Sequence, residues 1–285
     1  LLLTGHQHMP VESVRIGGTF AVQPPANAGR YLQVEAAVRD GGAEFSARLL
    51  PVGGIHREQP YRRLLPLEQA AQRWLDEPVG HLEQAIPPEE KLRAALHGSA
   101  VAALFNQVQL SHTGADISCT SLGNEPAGLA ASVTMRAITA AYLFSNTLVV
   151  LEITEEILRA LLERCASYFT LENGTPRVSD AFLAPKVEHY NYDFFAGISY
   201  QFDLRQPVGR RLTRLSRLDG TPLGPGPLRL CTSNYRATGT GGYDALRTCP
   251  VLWRGSVEMP ELVAEYVRAN SPVSLPCNGR MEAIW

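Results

Sequence analysis

Residues 146–165 read NTLVVLEITEEILRALLERC, and the middle of this stretch decides the fold class. Up to Ile153 the residues form a short continuous apolar run rich in β-branched side chains, the pattern of a buried strand. Thr154 breaks it with a side chain suited to cap a helix. From there Ile157, Leu158, Leu161, Leu162 and Cys165 recur at helical spacing and make one apolar stripe. A strand that turns within one residue into an amphipathic helix belongs to a mixed domain.

The same alternation extends outward on both sides. GADISCTSL (114–122) reads as a buried strand, and TMRAITAAY (134–142) as a short helix capped by Thr134. ISYQFDL (198–204) and RRLTRLSRL (210–218) read as strands, the second closing in an Asp219-Gly220 turn. LRLCTSNY (228–235) is a strand that runs into the glycine-rich loop RATGTGGY (236–243), and MPELVAEYVRAN (259–270) is a helix. Upstream, PPEEKLRAAL (87–96) starts a helix with its acidic residues where the helix dipole favours them, and leads into AVAALFNQV (100–108). PLEQAAQRWLD (66–76) predicts a further helix with Pro66 in its first turn. Residues 1–52 carry no helical pattern. LLLT, TFAVQ, RYLQVEAAV and EFSARLLPV follow one another with Gly, Pro and Asp-Gly-Gly punctuation, which predicts a β-meander. The expected class is α+β, with a β-rich segment 1–54, a partly helical connector 55–90 and a mixed domain 91–285.

The 285 residues include 26 Lys and Arg against 28 Asp and Glu, a net charge of −2 that offers nothing to a nucleic-acid polymer or an anionic membrane. No apolar run approaches the roughly 20 residues of a membrane helix. The first residues lack the basic, apolar and small-residue order of a signal peptide. None of the five cysteines stands in a C-x-x-C pair. Cys119, Cys165 and Cys231 fall in apolar patterns and read as core. Cys249 and Cys277 lie in Pro-flanked loops, and the sequence leaves open whether they pair in an oxidising compartment.

His6 and His8 follow LLLTG. In an extended segment, side chains two apart point to one side, about 6–7 Å from each other. Two imidazoles so placed can each hold one ion of a metal pair about 3.5–4 Å apart. Neutral imidazole suits Zn, Mn, Fe or Co. Gly5 is read as the residue that lets the backbone turn sharply off the strand. The later histidines, His56, His81, His97, His112 and His189, have no such surroundings.

A strand followed by Gly-His-x-His resembles the last metal-binding motif of the calcineurin-like metallophosphoesterases. The resemblance implies that His6 binds one metal and His8 the other, in a site for two divalent ions. The family's Asp-x-His, Gly-Asp and Gly-Asn-His motifs do not occur in order after residue 8. The expectation is therefore that the chain begins near the end of such a domain, the tail of its β-sandwich, and is inactive by itself.

Further along, AAYLFSNTLVVLEIT (140–154), HYNYDFFAGISYQFDLRQPVGRRLTRL (189–215) and SNYRATGTGGYDAL (233–246) resemble successive motifs of the 5′-nucleotidase C-terminal domain. FNQVQLSHTGADIS (105–118) fits its 2′,3′-cyclic-nucleotide 2′-phosphodiesterase/3′-nucleotidase branch. The likeness runs in order through most of residues 97–270. It implies a two-metal nucleotide hydrolase whose C-terminal domain grips the nucleoside, located in the periplasm, the cell wall or outside the cell. A sulfate thiol esterase and a non-catalytic nucleoside-binding module are the rival readings. By motif position Phe144 is the first base-stacking ring and Tyr190 the second, with Tyr192 as competitor. Asn146 hydrogen-bonds base or ribose. Two rings clamp a base when their planes stand parallel about 7 Å apart, each contact contributing about 1–3 kcal/mol. The position of the family's ribose-binding acid is occupied by Ala196, and a usual proline by Ser145. RATGTGGY lacks the order of a phosphate-binding P-loop. It reads as a mobile turn that places Asn234 and Arg236 near the pocket. Arg210, Arg211, Arg214 and Arg217 read as a solvated face.

Overall fold

The computed structural model describes residues 1–54, 58–275 and 277–285, so His56 lies outside the described residues. The chain divides into two compact units, Leu1–Glu68 and Gln69–Trp285. The division falls within the segment 55–90 expected to act as connector.

The first unit holds two small sheets. β1 (Leu2–Leu3), β2 (Val11–Ile16) and β3 (Thr19–Gln23) form one in the order β1-β3-β2. β4 (Arg30–Arg39) and β5 (Gly42–Pro51) form a ten-residue-per-strand hairpin around Asp40-Gly41. The expected meander is corrected here, because β1 runs parallel to β3 and skips its sequence neighbour. β2 was not anticipated. Its VESVRI pattern leaves most side chains exposed, and strand pairing rather than burial defines it. Among the described residues of this unit only Phe20, Ala21, Val22 and Gln23 are buried.

α1 (Glu58–Asp76) crosses the division and buries none of its side chains. It begins eight residues before the predicted start at 66, so Pro66 lies inside the helix. Pro60 occupies the first turn instead, where a missing N–H costs nothing. The Glu58–Arg62 pair, four residues apart, supports the added turns.

The second unit is built on a five-stranded sheet of β7 (Ile117–Ser121), β9 (Thr147–Ile153), β12 (Asp193–Ala196), β15 (Leu228–Ser233) and β16 (Val251–Glu258). Its order is β12-β7-β15-β9-β16. β7 and β15 are parallel, and the other neighbours pair antiparallel. A second sheet orders β14 (Leu212–Arg217), β13 (Ile198–Asp203) and β17 (Arg280–Ile284), with β17 parallel to β13. β6 (Pro78–His81) pairs with β8 (Ser132–Thr134), and β10 (Phe169–Glu172) with β11 (Thr175–Val178).

Among the described residues six α-helices accompany these sheets: α2 (Lys91–His97), α3 (Ala100–Thr113), α4 (Met135–Ala141), α5 (Glu155–Ala166), α6 (Asn234–Ala237) and α7 (Met259–Asn270). Their starts are fixed locally. Thr154 Oγ1 accepts from the Ile157 N–H at 3.2 Å, Thr134 from Ala137 at 3.2 Å and Ser99 from Ala102 at 3.1 Å. The α5 stripe buries Leu158, Leu161, Leu162 and Cys165, with Ile157 packed at its edge. One apolar core joins α3, α5, α7 and the five-stranded sheet.

Cys119, Cys165 and Cys231 are buried free thiols, as their patterns implied. Cys249 is buried and Cys277 exposed, both free. Of the four arginines expected to form a solvated face, Arg210, Arg214 and Arg217 are exposed, and Arg211 is the exception. Arg211 is buried and donates to the carbonyls of Ala166 at 2.8 Å, Phe169 at 2.6 Å and Gln206 at 3.0 Å. A carbonyl-lined slot fits a planar five-donor fork better than solvent does.

Candidate functional site

Strand directions bring the candidate residues to one end of the five-stranded sheet. β7 and β15 leave the sheet there, while β9 and β12 enter it. Phe144, Ser145 and Asn146 precede β9; Tyr190 and Asn191 precede β12; Asn234, Tyr235 and Arg236 follow β15. Asn234 Oδ1 accepts from the N–H of Thr147 at 3.2 Å and of Tyr235 at 3.0 Å, which ties the start of α6 to the start of β9. The Asn146 carbonyl accepts from the Met259 N–H at 2.9 Å, and its side-chain amide lies 3.4 Å from the Tyr142 hydroxyl. Burial pushes the Tyr142 hydroxyl up to about 12, against the Asn146 hydrogen bond, so it remains protonated at neutral pH.

Phe144 and Tyr190 are both half-buried and meet with ring centroids 6.3 Å apart. Their planes cross at 66°, edge to face. The expected parallel arrangement is thus corrected: the two rings touch directly, in the edge-on arrangement that their quadrupoles favour. The Tyr190 hydroxyl donates to Glu188 Oε1 at 3.1 Å, and burial followed by that carboxylate raises its pKa to about 12. Lys186 Nζ stands 5.7 Å from the Tyr190 ring centroid. Tyr235, which sequence reasoning did not single out, is the most open ring at this end, 42% exposed. Its signal was obscured because LRLCTSNY was treated as strand throughout, whereas α6 starts at Asn234 and turns Tyr235 outward.

Beneath the rim lies a buried ion pair. Arg236 and Asp193 are each only 2% exposed in their side chains. Arg236 Nε donates to Asp193 Oδ2 at 2.9 Å and Nη2 to Oδ1 at 2.8 Å. Nη2 also donates to the Tyr190 carbonyl at 2.9 Å, and Nη1 to the Thr240 carbonyl at 2.6 Å. The guanidinium carbon lies 4.2 Å from the Tyr243 ring centroid and 5.8 Å from that of Tyr235. Burial alone would lower the arginine pKa, but the Asp193 charge and hydrogen bonds hold it above the ordinary value. Arg236, expected near the pocket, sits beneath the rim, where the planar fork finds a carboxylate and two carbonyls.

The glycine-rich loop is not a free turn. Arg164 Nε donates to the Gly241 carbonyl at 2.8 Å, while Arg236 holds that of Thr240. Gly241 and Gly242 have φ of +81° and +87°. A Cβ at Gly241 would fall 2.3 Å from Arg236 Nη1, and one at Gly242 2.3 Å from Arg164 Nε. Close approach of two guanidinium groups is what these glycines permit.

Three further expectations are corrected. Tyr192 is 3% exposed, packs against Tyr168, Phe169 and Phe194, and donates to the Ala95 carbonyl at 3.0 Å. It is a core ring with its polar end satisfied. Ala196 is fully buried opposite Ser118, at the end of β12 away from Tyr190. The strand carries it off the rim, so nothing about ribose follows from it. His6 and His8 do not lie on an extended segment. Residues 5–8 turn, with the His8 N–H 3.4 Å from the Gly5 carbonyl, and His8 rather than Gly5 takes the left-handed conformation, φ 60°. Both histidines are exposed. Among the described residues no group of three or more His, Cys, Asp or Glu stands close enough to hold a metal. The imidazoles suit the expected ions, but the described donors of this chain do not complete a site.

Three rings and two carboxamides of an α+β domain thus stand together at one end of its sheet. The chain belongs to the family described as 5′-nucleotidase, C-terminal domain, whose family model matches residues 78–248. It is similar to the 2′,3′-cyclic-nucleotide 2′-phosphodiesterase/3′-nucleotidase of Haemophilus influenzae, 23% identical over 258 residues, covering 78% of this chain and 38% of that protein. It is also similar to the trifunctional nucleotide phosphoesterase protein YfkN of Bacillus subtilis, 27% identical over 139 residues, covering 44% of this chain and 9% of that protein. Among solved structures, a Staphylococcus aureus protein assigned as a 5′-nucleotidase and bound to α-ketoglutarate matches with a TM-score of 0.84 and 27% identity. That match covers 99% of this chain and 55% of the other. The chain thus spans well under half the length of the curated relatives and about half of that structure.

Proposed function

We propose that this chain supplies the nucleoside-binding domain, and the last metal-ligand motif, of a two-metal nucleotide phosphoester hydrolase. The 2′,3′-cyclic-nucleotide 2′-phosphodiesterase/3′-nucleotidase type fits best. The observation that carries the reading is the convergence of Phe144, Tyr190 and Tyr235 with Asn146 and Asn234 at one sheet end. Ring faces bind any base by stacking, and the carboxamides offer both donors and acceptors to base edges or ribose hydroxyls. Family membership and the names of the relatives support the same class. For a base to enter, Tyr190 or Phe144 has to rotate out of the edge-on contact. His6 and His8 would supply two of the ligands of a divalent metal pair, which would activate a water nucleophile. Location in the periplasm, the cell wall or outside the cell follows the family resemblance.

Calorimetry with adenosine on this chain tests the binding half. Removing the ring of Phe144 or Tyr235 by alanine should cost about 1–3 kcal/mol each. Unchanged affinity in both variants would remove the rim from consideration. The chain alone should not hydrolyse a 2′,3′-cyclic nucleotide with manganese present. Turnover that His6→Ala abolishes would show that the described ligands suffice.

A further inference from the structure

Arg236 is buried, yet it touches two of the three segments that form the rim, and the glycine-rich loop besides. Its Nη2 holds the carbonyl of Tyr190, on the stretch before β12, and its Nη1 holds Thr240 in the glycine-rich loop. Its own backbone N–H is capped by Ser233 at 3.1 Å at the start of α6, next to Tyr235. Its guanidinium faces the Tyr235 ring from one side and the buried Tyr243 ring from another. Asp193, the first residue of β12, receives the remaining two bonds.

A buried ion pair is a weak source of stability, since desolvation offsets most of the attraction. What a planar fork supplies in addition is geometry: its donors are fixed relative to one another, so the groups they hold are fixed as well. A lysine delivers the same charge as a point and cannot hold a carboxylate and two carbonyls in set directions.

We propose that Arg236 is the positioning residue of this site, a guanidinium that reaches no ligand but sets Tyr190 and Tyr235 in one register across two chain segments. The inference rests on the reading of the rim as a nucleoside site. It predicts that the spacing of the rings, and with it affinity, depends on the shape of residue 236 and not on its charge alone.

Arg211 provides the control. It is a second buried arginine that holds backbone carbonyls, but those of Ala166, Phe169 and Gln206. Arg236→Lys and Arg211→Lys are to be made in the full chain and compared by thermal unfolding, adenosine calorimetry and the ring-to-ring nuclear Overhauser effect between Phe144 and Tyr190. Both variants should melt below the parent. At a temperature where all are folded, Arg236→Lys should lose about tenfold in adenosine affinity, the scale of one stacking contact, together with the ring contact. Arg211→Lys should keep both. Equal affinity in Arg236→Lys and parent, or an equal loss in Arg211→Lys, overturns the proposal. If Arg236→Lys does not fold, Gly241→Ala takes its place, because its Cβ would fall 2.3 Å from Arg236 Nη1 as well as from Asn191 Oδ1. A parent that binds no adenosine overturns the nucleoside reading. The ring contact then still decides the positioning role, lost only at residue 236 if correct and retained there if wrong.

Discussion

Leu1–Glu68 and Gln69–Trp285 both show clear strand patterns, but they differ in what those strands cover. In the first unit Leu1, Leu2, Leu3, Ile16, Tyr31, Val38, Tyr61, Leu64 and Leu67 are all exposed large apolar side chains. In the second, the faces of α3, α5, α7 and the five-stranded sheet close on one apolar core. Backbone pairing can be complete where burial is not. Hydrogen bonds between strands exchange for bonds to water at little net gain, whereas stability comes from apolar area removed from water. A hairpin as long as β4–β5 is therefore a regular structure without being a stable one.

The largest effect that would break this contrast is all-or-none. Residues 69–285 made alone should unfold in one cooperative transition, and residues 1–68 alone should show no transition by circular dichroism. A cooperative melt from the short piece would mean that its few buried residues suffice. Next in size, Phe105→Ala in the core should cost about 3–5 kcal/mol in urea unfolding. Val38→Ala, 82% exposed in the hairpin, should stay within about 0.5 kcal/mol. Comparable losses would erase the distinction.

The smallest effect is a matter of pH. Burial, opposed by Glu89, lowers the Lys91 pKa from 10.5 to about 8. Below about 8 both folded and unfolded chains carry the proton, and the cost of burying it is fully present. Between about 8 and 10.5 the unfolded chain binds more protons, so stability rises with pH. Lys91→Met should accordingly be more stable than the parent at neutral pH, by a margin that shrinks across that window. A margin independent of pH would show that the lysine is not desolvated.

Much of the second unit was legible because its signals are local. Thr154 marks a boundary within one residue, and the Leu158–Leu161–Leu162 spacing needs no partner to be recognised. β16 escaped because VLWRGSVE mixes exposed apolar residues with a glycine and shifts register twice against β9. β17 is only RMEAI, and its parallel pairing with β13 across about 80 residues is invisible along the chain. The same limit governed the site. Phe144, Asn146, Tyr190 and Asn234 were found by motif, and the structure brings them to one sheet end. Ala196 was misplaced because counting residues ignores that a strand advances about 3.3 Å per residue away from its start. Tyr192 competed with Tyr190 because the single turn His189–Asn191, which sends the two rings to different surroundings, is not visible along the chain. The Arg236–Asp193 pair joins residues 43 apart, and only the fold supplies that proximity.

The grip of Arg164 and Arg236 on the glycine-rich loop also divides positions by how freely they can vary. At 241 and 242 any side chain collides with a guanidinium, so those positions answer to the scaffold. Tyr235 is exposed, and a replacement there meets solvent, whereas the exposed Asn234 also ties α6 to β9. The rim can therefore vary at 235, and in part at 144 and 190, while the frame beneath stays constant, so a library confined to those three positions would change the surface without asking the protein to learn a new fold.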